Sequence, residues 1–211
     1  MYAISGSGCR QIICSWIKTI LGCVVGAAYL IEDTFTDTDD VTLPNHTPDT
    51  APIGSAWAHA NGSGYKISGN KAVCPGANDQ LIVIDSGAAD VDIILATVTL
   101  GAELGVLLRG SGAALNGWLL ICSCARDKYE IYMLNGSYNL VASSPVETLT
   151  PGDILTNLEF KASGTSIEAL VNGVSKVSTT SAVYQAQTQI GLFAYSDDGT
   201  AKWDGLTVAA L

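Results

Sequence analysis

Positive charge is scarce in this 211-residue chain: ten Lys and Arg stand against twenty Asp and Glu, for a formal net charge of −10. The basic residues never cluster, so no stretch could track a phosphate backbone, and nucleic acid is excluded as an expected partner. Charged residues of either sign make up only 14% of the chain, against about 25% in an average soluble protein. Histidine occurs twice, as His46 and His59, and no Gly-x-Ser-x-Gly turn accompanies either, so a Ser-His-Asp hydrolase is not expected. Both are expected to hydrogen-bond locally. Also missing is a tight Glu-x-Asp-x-x-Glu run, which would set two carboxylates about 5 to 9 Å apart for glycoside cleavage. Glu103, Glu130, Glu147, Glu159 and Glu168 are scattered singly instead, and the chain is expected not to be an enzyme.

Cysteine is present but in no zinc spacing: Cys9, Cys14, Cys23, Cys74, Cys122 and Cys124. Cys122 and Cys124, two apart on an expected strand, share one face and would bond other partners before each other. Buried free thiols are a simpler expectation than a disulfide framework. No cofactor is expected. Calcium is the one candidate ion, at Asp37, Asp39 and Asp40 or at Asp197 and Asp198, although turn chemistry accounts for the same aspartates.

Composition changes near residue 31. Before it, apolar residues at 9, 12, 13, 16, 17, 20, 21 and 24 recur as one face of a helix, while the Ile, Val, Cys and Trp content suits a strand as well. A membrane span needs about 20 apolar residues, and Lys18, Ser15 and several glycines interrupt positions 12 to 31, so a membrane is not expected. A cleaved leader is disfavoured too. The preferred expectation for residues 1–31 is an attachment or oligomerisation arm, helical or extended, that is too small to bury itself. It would order by packing Ile12, Ile13, Trp16, Ile17, Ile20 and Leu21 on its own domain, a sister subunit or another protein.

From Glu32 onward, short apolar runs alternate with turn signals at roughly the 8–12-residue spacing of β-sandwiches. Thr156 to Ala162 changes between apolar and polar at every step, as a half-buried strand requires. Asn172-Gly173 predicts a type I′ hairpin, and Asn135-Gly136 predicts the same device between Leu134 and Tyr138. At the C-terminus, Ile190 to Tyr195 and Trp203 to Val208 read as two apolar strands hinged on an Asp-Asp-Gly turn, of the kind that closes a sandwich. The predicted fold is all-β: an antiparallel two-sheet jelly-roll sandwich over residues 32–211, carrying the N-terminal arm.

Several pieces carry a family likeness: Asp33-Thr-Phe35 with the Asp-rich turn after it, His46-Thr-Pro-Asp49, Gly105-Val-Leu-Leu-Arg109, Asn116-Gly-Trp118, Tyr132-Met-Leu-Asn135-Gly136, Thr150-Pro-Gly-Asp153, Val171-Asn-Gly173, Gly191-Leu-Phe193 and Trp203-Asp204. In order and spacing they resemble the concanavalin A-like jelly-roll family, specifically the laminin-G and glucanase-like domains of secreted carbohydrate-binding modules and bacteriophage virion proteins. The resemblance runs from Asp33 to Val208 and implies fold more than function. Taken with the arm and the lack of catalytic motifs, it makes a structural virion component the leading expectation. That would be a capsid decoration protein or a tail or fibre accessory that docks through its arm onto other virion proteins or sister subunits, as a homo-oligomer. A secreted carbohydrate-binding module is the alternative, and a membrane-anchored surface protein the second alternative. If host or other glycans are bound, Asn116 beside Trp118, or Tyr129 with Tyr132, are the expected contacts.

Overall fold

The computed structural model describes residues 29–211 apart from positions 53, 77, 113–114 and 196–198. The arm contacts expected at Ile12, Ile13, Trp16, Ile17, Ile20 and Leu21 lie outside the described residues, as do Cys9, Cys14 and Cys23. The strands, in chain order, are β1 Ile31–Asp33, β2 Ala58–Asn61, β3 Lys66–Ile67, β4 Ala72–Val73, β5 Gln80–Asp85, β6 Val91–Thr99, β7 Glu103–Gly110, β8 Asn116–Ser123, β9 Lys128–Asn135, β10 Tyr138–Ser143, β11 Ile154–Ser163, β12 Ser166–Val171, β13 Val174–Thr180, β14 Gln189–Tyr195 and β15 Lys202–Ala210. One 3-10 turn, Leu43–Asn45, precedes β2. Among the described residues no helix is long and apolar enough to cross a membrane.

Two antiparallel sheets form the sandwich, as the sequence predicts. One has eight strands in the order β13-β12-β11-β6-β15-β4-β3, with β1 also pairing β15; the other has seven, β10-β9-β8-β7-β14-β5-β2. The terminal strand β15 lies inside its sheet, between β6 on one side and β1 and β4 on the other. The two C-terminal strands do not form a hairpin: β14 belongs to the seven-stranded sheet and β15 to the eight-stranded one. Each turns apolar side chains to the common core.

Alternation places that core. Ile93, Leu95, Phe160, Trp203, Leu206 and Val208 from one sheet meet Val106, Leu108, Trp118, Leu120 and Leu192 from the other, all at most 2% exposed, and full burial of each such side chain is worth about 1.5–3 kcal/mol. Cys74 is buried; Cys122, also buried, and Cys124, half-buried, are free thiols. At Asn172 (φ 53°) and Gly173 (φ 73°) both central residues are left-handed, the geometry of the predicted type I′ turn. The second predicted type I′ turn is not formed. Leu134 pairs Tyr138 across a three-residue connection, and only Gly136 within it has positive φ, because a third loop residue removes the need for two left-handed positions.

The Asp-rich lead-in is organised around His46. His46 is buried, with Nε2 2.9 Å from Asp33 Oδ1 and Nδ1 3.1 Å from Asp37 Oδ2. Asp33, 1% exposed, also accepts the Phe35 amide at 2.7 Å and the Trp57 indole N–H at 2.8 Å. Burial alone would lower the His46 pKa, but the two carboxylates outweigh it and raise it. Asp39 accepts the Gly69 amide and Asp40 pairs with Lys66. The three aspartates offered for calcium thus serve separate turn contacts, and no group of three metal-ligating side chains occurs among the described residues. Asp197 and Asp198 lie outside them.

Candidate functional site

The seven-stranded sheet is apolar on both faces. Leu81 and Val83 of β5, Leu107 of β7, Leu119 and Ile121 of β8, Leu134 of β9 and Phe193 of β14 point away from the main core and form a second buried cluster. Glycines make room for it. A Cβ at Gly105 would sit 2.5 Å from the Leu120 carbonyl and 3.1 Å from the Phe193 ring, and one at Gly191 would sit 2.5 Å from the Ile82 carbonyl. Leu119, Leu81 and Phe193 therefore lie low over bare backbone.

Curvature does the rest. Neighbouring strands lie about 4.8 Å apart, so the four steps from β10 to β14 would span about 19 Å in a flat sheet. Yet the Tyr138 ring on β10 is centred only 6.0 Å from that of Phe193 on β14, and 6.2 Å from Tyr132 on β9. The sheet must curl so that its outer face is concave, and Tyr138 folds over it toward Asp79, which leads into β5.

Beside this bridge the concave face opens into a cleft of about 300 Å³, lined by Asp79, Glu103, Ile121, Arg126, Tyr132, Tyr138, Phe193 and Tyr195. That is the lower end of the usual range for small-molecule sites, about 300–1,000 Å³. Tyr138 and Tyr195 are 36% and 42% exposed, so two partly exposed tyrosines stand in one concavity. Arg126, in the turn after β8, is clamped: one terminal nitrogen lies 2.8 Å from Glu103 Oε1 and its Nε lies 2.7 Å from Glu130 Oε2. The Tyr132 hydroxyl donates to the same Glu130 oxygen at 2.9 Å, and Ser123 donates to Glu103 Oε1 at 3.2 Å.

These contacts set the protonation of the site. Burial pushes the Glu103 carboxyl above its ordinary value, with Arg126 and Ser123 pulling the other way. The Tyr132 phenol is pushed up to about 12 by burial and by its bond to Glu130. Tyr138 is raised as well, by burial and by the Asp79 carboxylate. Near neutral pH the tyrosines are therefore neutral donors beside carboxylate acceptors.

The sugar contacts expected from sequence fall elsewhere, with one exception. Trp118 faces the inter-sheet core, 2% exposed, and its indole N–H donates to the Val183 carbonyl at 3.0 Å, so no face is open to stack on a sugar. Asn116 starts β8, whereas the cleft lies toward the Ser123 end of that strand. Tyr129 is buried in the main core, while Tyr132 lines the cleft; three residues apart on one strand, they must face opposite ways. The two-residue spacing of Glu130 and Tyr132 was the readable signal of a shared face. Glu103, Arg126, Phe193 and Tyr195 come from remote strands and turns.

No protein-family model and no curated protein matches the chain. Solved structures do. Carbohydrate binding module CBM66 from Bacillus subtilis is 14% identical with a TM-score of 0.64, over 73% of this chain and 95% of that one. A structure from work on endo-acting O-glycanases of the human gut microbiota is 10% identical with a TM-score of 0.54, over 87% and 100%. The exoplasmic/lumenal domain of VIP36, in its Ca2+/Man2-bound form, is 9% identical with a TM-score of 0.51, over 82% and 87%. At such identities the likeness is one of fold, and the chain shares with these domains a two-sheet β-sandwich consistent with the concanavalin A-like jelly roll expected from its sequence.

Proposed function

We propose that this protein is a carbohydrate-binding module of the secreted or cell-surface kind, holding a sugar in the cleft on the concave face of its seven-stranded sheet. The observation that carries this reading is the pairing of exposed Tyr138 and Tyr195 with Glu103 and Asp79 in one concavity. Ring faces pack on the C–H face of a sugar, and carboxylates accept its hydroxyls. The similarity to a carbohydrate-binding module supports it. Binding is favoured over hydrolysis because Glu103 and Glu130 are both held by Arg126 and share its single positive charge, an arrangement that ties each to a structural partner rather than poising the two as an acid and base pair.

This places the secreted binding module ahead of the virion component that the arm and the missing motifs suggest. The virion reading rests on the family resemblance, the missing catalytic motifs and the arm of residues 1–31, of which the first 28 lie outside the described ones. Homo-oligomerisation through the arm stays a separate proposal. Calorimetric titration against a panel of oligosaccharides tests the function: at least one should bind, and Tyr195→Ala should weaken it about tenfold, the ~1.4 kcal/mol expected for one aromatic contact. Absence of binding across the panel, or a Tyr195→Ala variant that binds unchanged, would overturn it.

A further inference from the structure

We infer that the cleft selects an uncharged, hydroxyl-rich sugar and rejects glycans bearing carboxylate or sulfate groups. This rests on the glycan-binding reading above and goes beyond it to the class of ligand. The first reason is the state of the only cation among the described residues that line the cleft. Arg126 faces carboxylates on two sides, Glu103 at 2.8 Å and Glu130 at 2.7 Å. The Arg126 side chain is 42% exposed and keeps further N–H donors, but its one positive charge is already shared between two carboxylates, so an acidic sugar would find no net positive charge there.

The second reason is the field. Asp79, Glu103 and Glu130 stand against one guanidinium, and burial together with the neighbouring carboxylates keeps the phenols of Tyr132 and Tyr138 protonated. The whole chain adds a net charge of −10. An anionic substituent would enter a cleft that is already negative. The third reason is hydrogen-bond polarity. Glu103 lines the cleft with Oε1 held by Ser123 and Arg126, and a carboxylate can only accept. Hydroxyls can satisfy it, whereas another carboxylate cannot.

A like charge about 7 Å away at an effective dielectric of about 20–40 weakens binding by roughly one order of magnitude. Titration of the full chain with a neutral oligosaccharide and its uronic-acid counterpart should therefore show at least about tenfold weaker binding of the acid, with the gap narrowing between low and high salt as the field is screened. Glu103→Gln, which removes one charge and keeps the shape, should narrow the gap at low salt. The salt series on the unsubstituted protein gives the same reading should that variant fold poorly. Acid bound as tightly as the neutral sugar, or a gap indifferent to salt, overturns charge selection while glycan binding stands. If neither sugar binds, nor any other of the panel, the glycan-binding reading itself fails and takes this inference with it.

Discussion

Replacing His46 by Ala isolates the ionic joint that ties the lead-in loop to the sandwich. The imidazole fills the space between Asp33, 2.9 Å from Nε2, and Asp37, 3.1 Å from Nδ1. Its removal leaves Asp33 with the Phe35 amide and the Trp57 indole N–H but without a countercharge, and breaking a buried pair from one side costs about 3–5 kcal/mol. The Asp37 contact, 34% exposed, adds little because solvent screens it. Because the folded pKa of His46 lies above its unfolded value near 6.5, folding takes up a proton there. The ionic share of the stabilisation is complete below the unfolded pKa and is lost as pH rises through the folded one. Urea unfolding followed by tryptophan fluorescence, at about pH 6 and about pH 9, should show the gap between the native protein and His46→Ala shrinking at the higher pH. A gap that stays constant or widens with pH would refute the ion-pair account.

Three further outcomes can be checked. Gly191→Ala drives a Cβ to 2.5 Å from the Ile82 carbonyl; backbone cannot yield as a side chain can, so chemical denaturation should register a loss of about 2–4 kcal/mol. Asp92, on β6, has its pKa raised to about 6 by burial first and then by Glu159. Its folded form thus holds a proton that the unfolded chain releases, so Asp92→Asn should stabilise the protein by about 1 kcal/mol above pH 6, after discounting for solvent screening, and by less as pH falls toward 4. Urea midpoints across that range would show it, and a variant less stable at neutral pH would contradict it. Arg109 is fully buried and bonds Asp90, the Ala89 carbonyl and the Gly164 carbonyl; Arg109→Ala should cost about 3–5 kcal/mol, read as a fall in melting temperature.

Local rules carried the sequence a long way toward the fold. Period-two alternation in Thr156 to Ala162 marked which side chains of β11 enter the core, and Asn172-Gly173 marked a hairpin through the positive φ that its two residues tolerate. Both depend on neighbours within a few residues. Alternation also showed that Trp118 leads into an apolar run, yet β8 is buried on both faces, and a strand of that kind conceals which face is the outer one. Ile190 to Tyr195 and Trp203 to Val208 were legible as strands but their sheets were not, since two apolar strands separated by a turn look alike whether they pair or belong to different sheets.

Composition and local pattern by themselves determined an acidic, all-β sandwich lacking the motifs of common hydrolases. Only the tertiary structure decided where a ligand could sit. Glu103 of β7, Arg126 after β8, Tyr132 of β9, Tyr138 of β10 and Tyr195 of β14 meet because the seven-stranded sheet curls. That curl is a property of strand order and of glycines at packed positions, and no short window of sequence contains it.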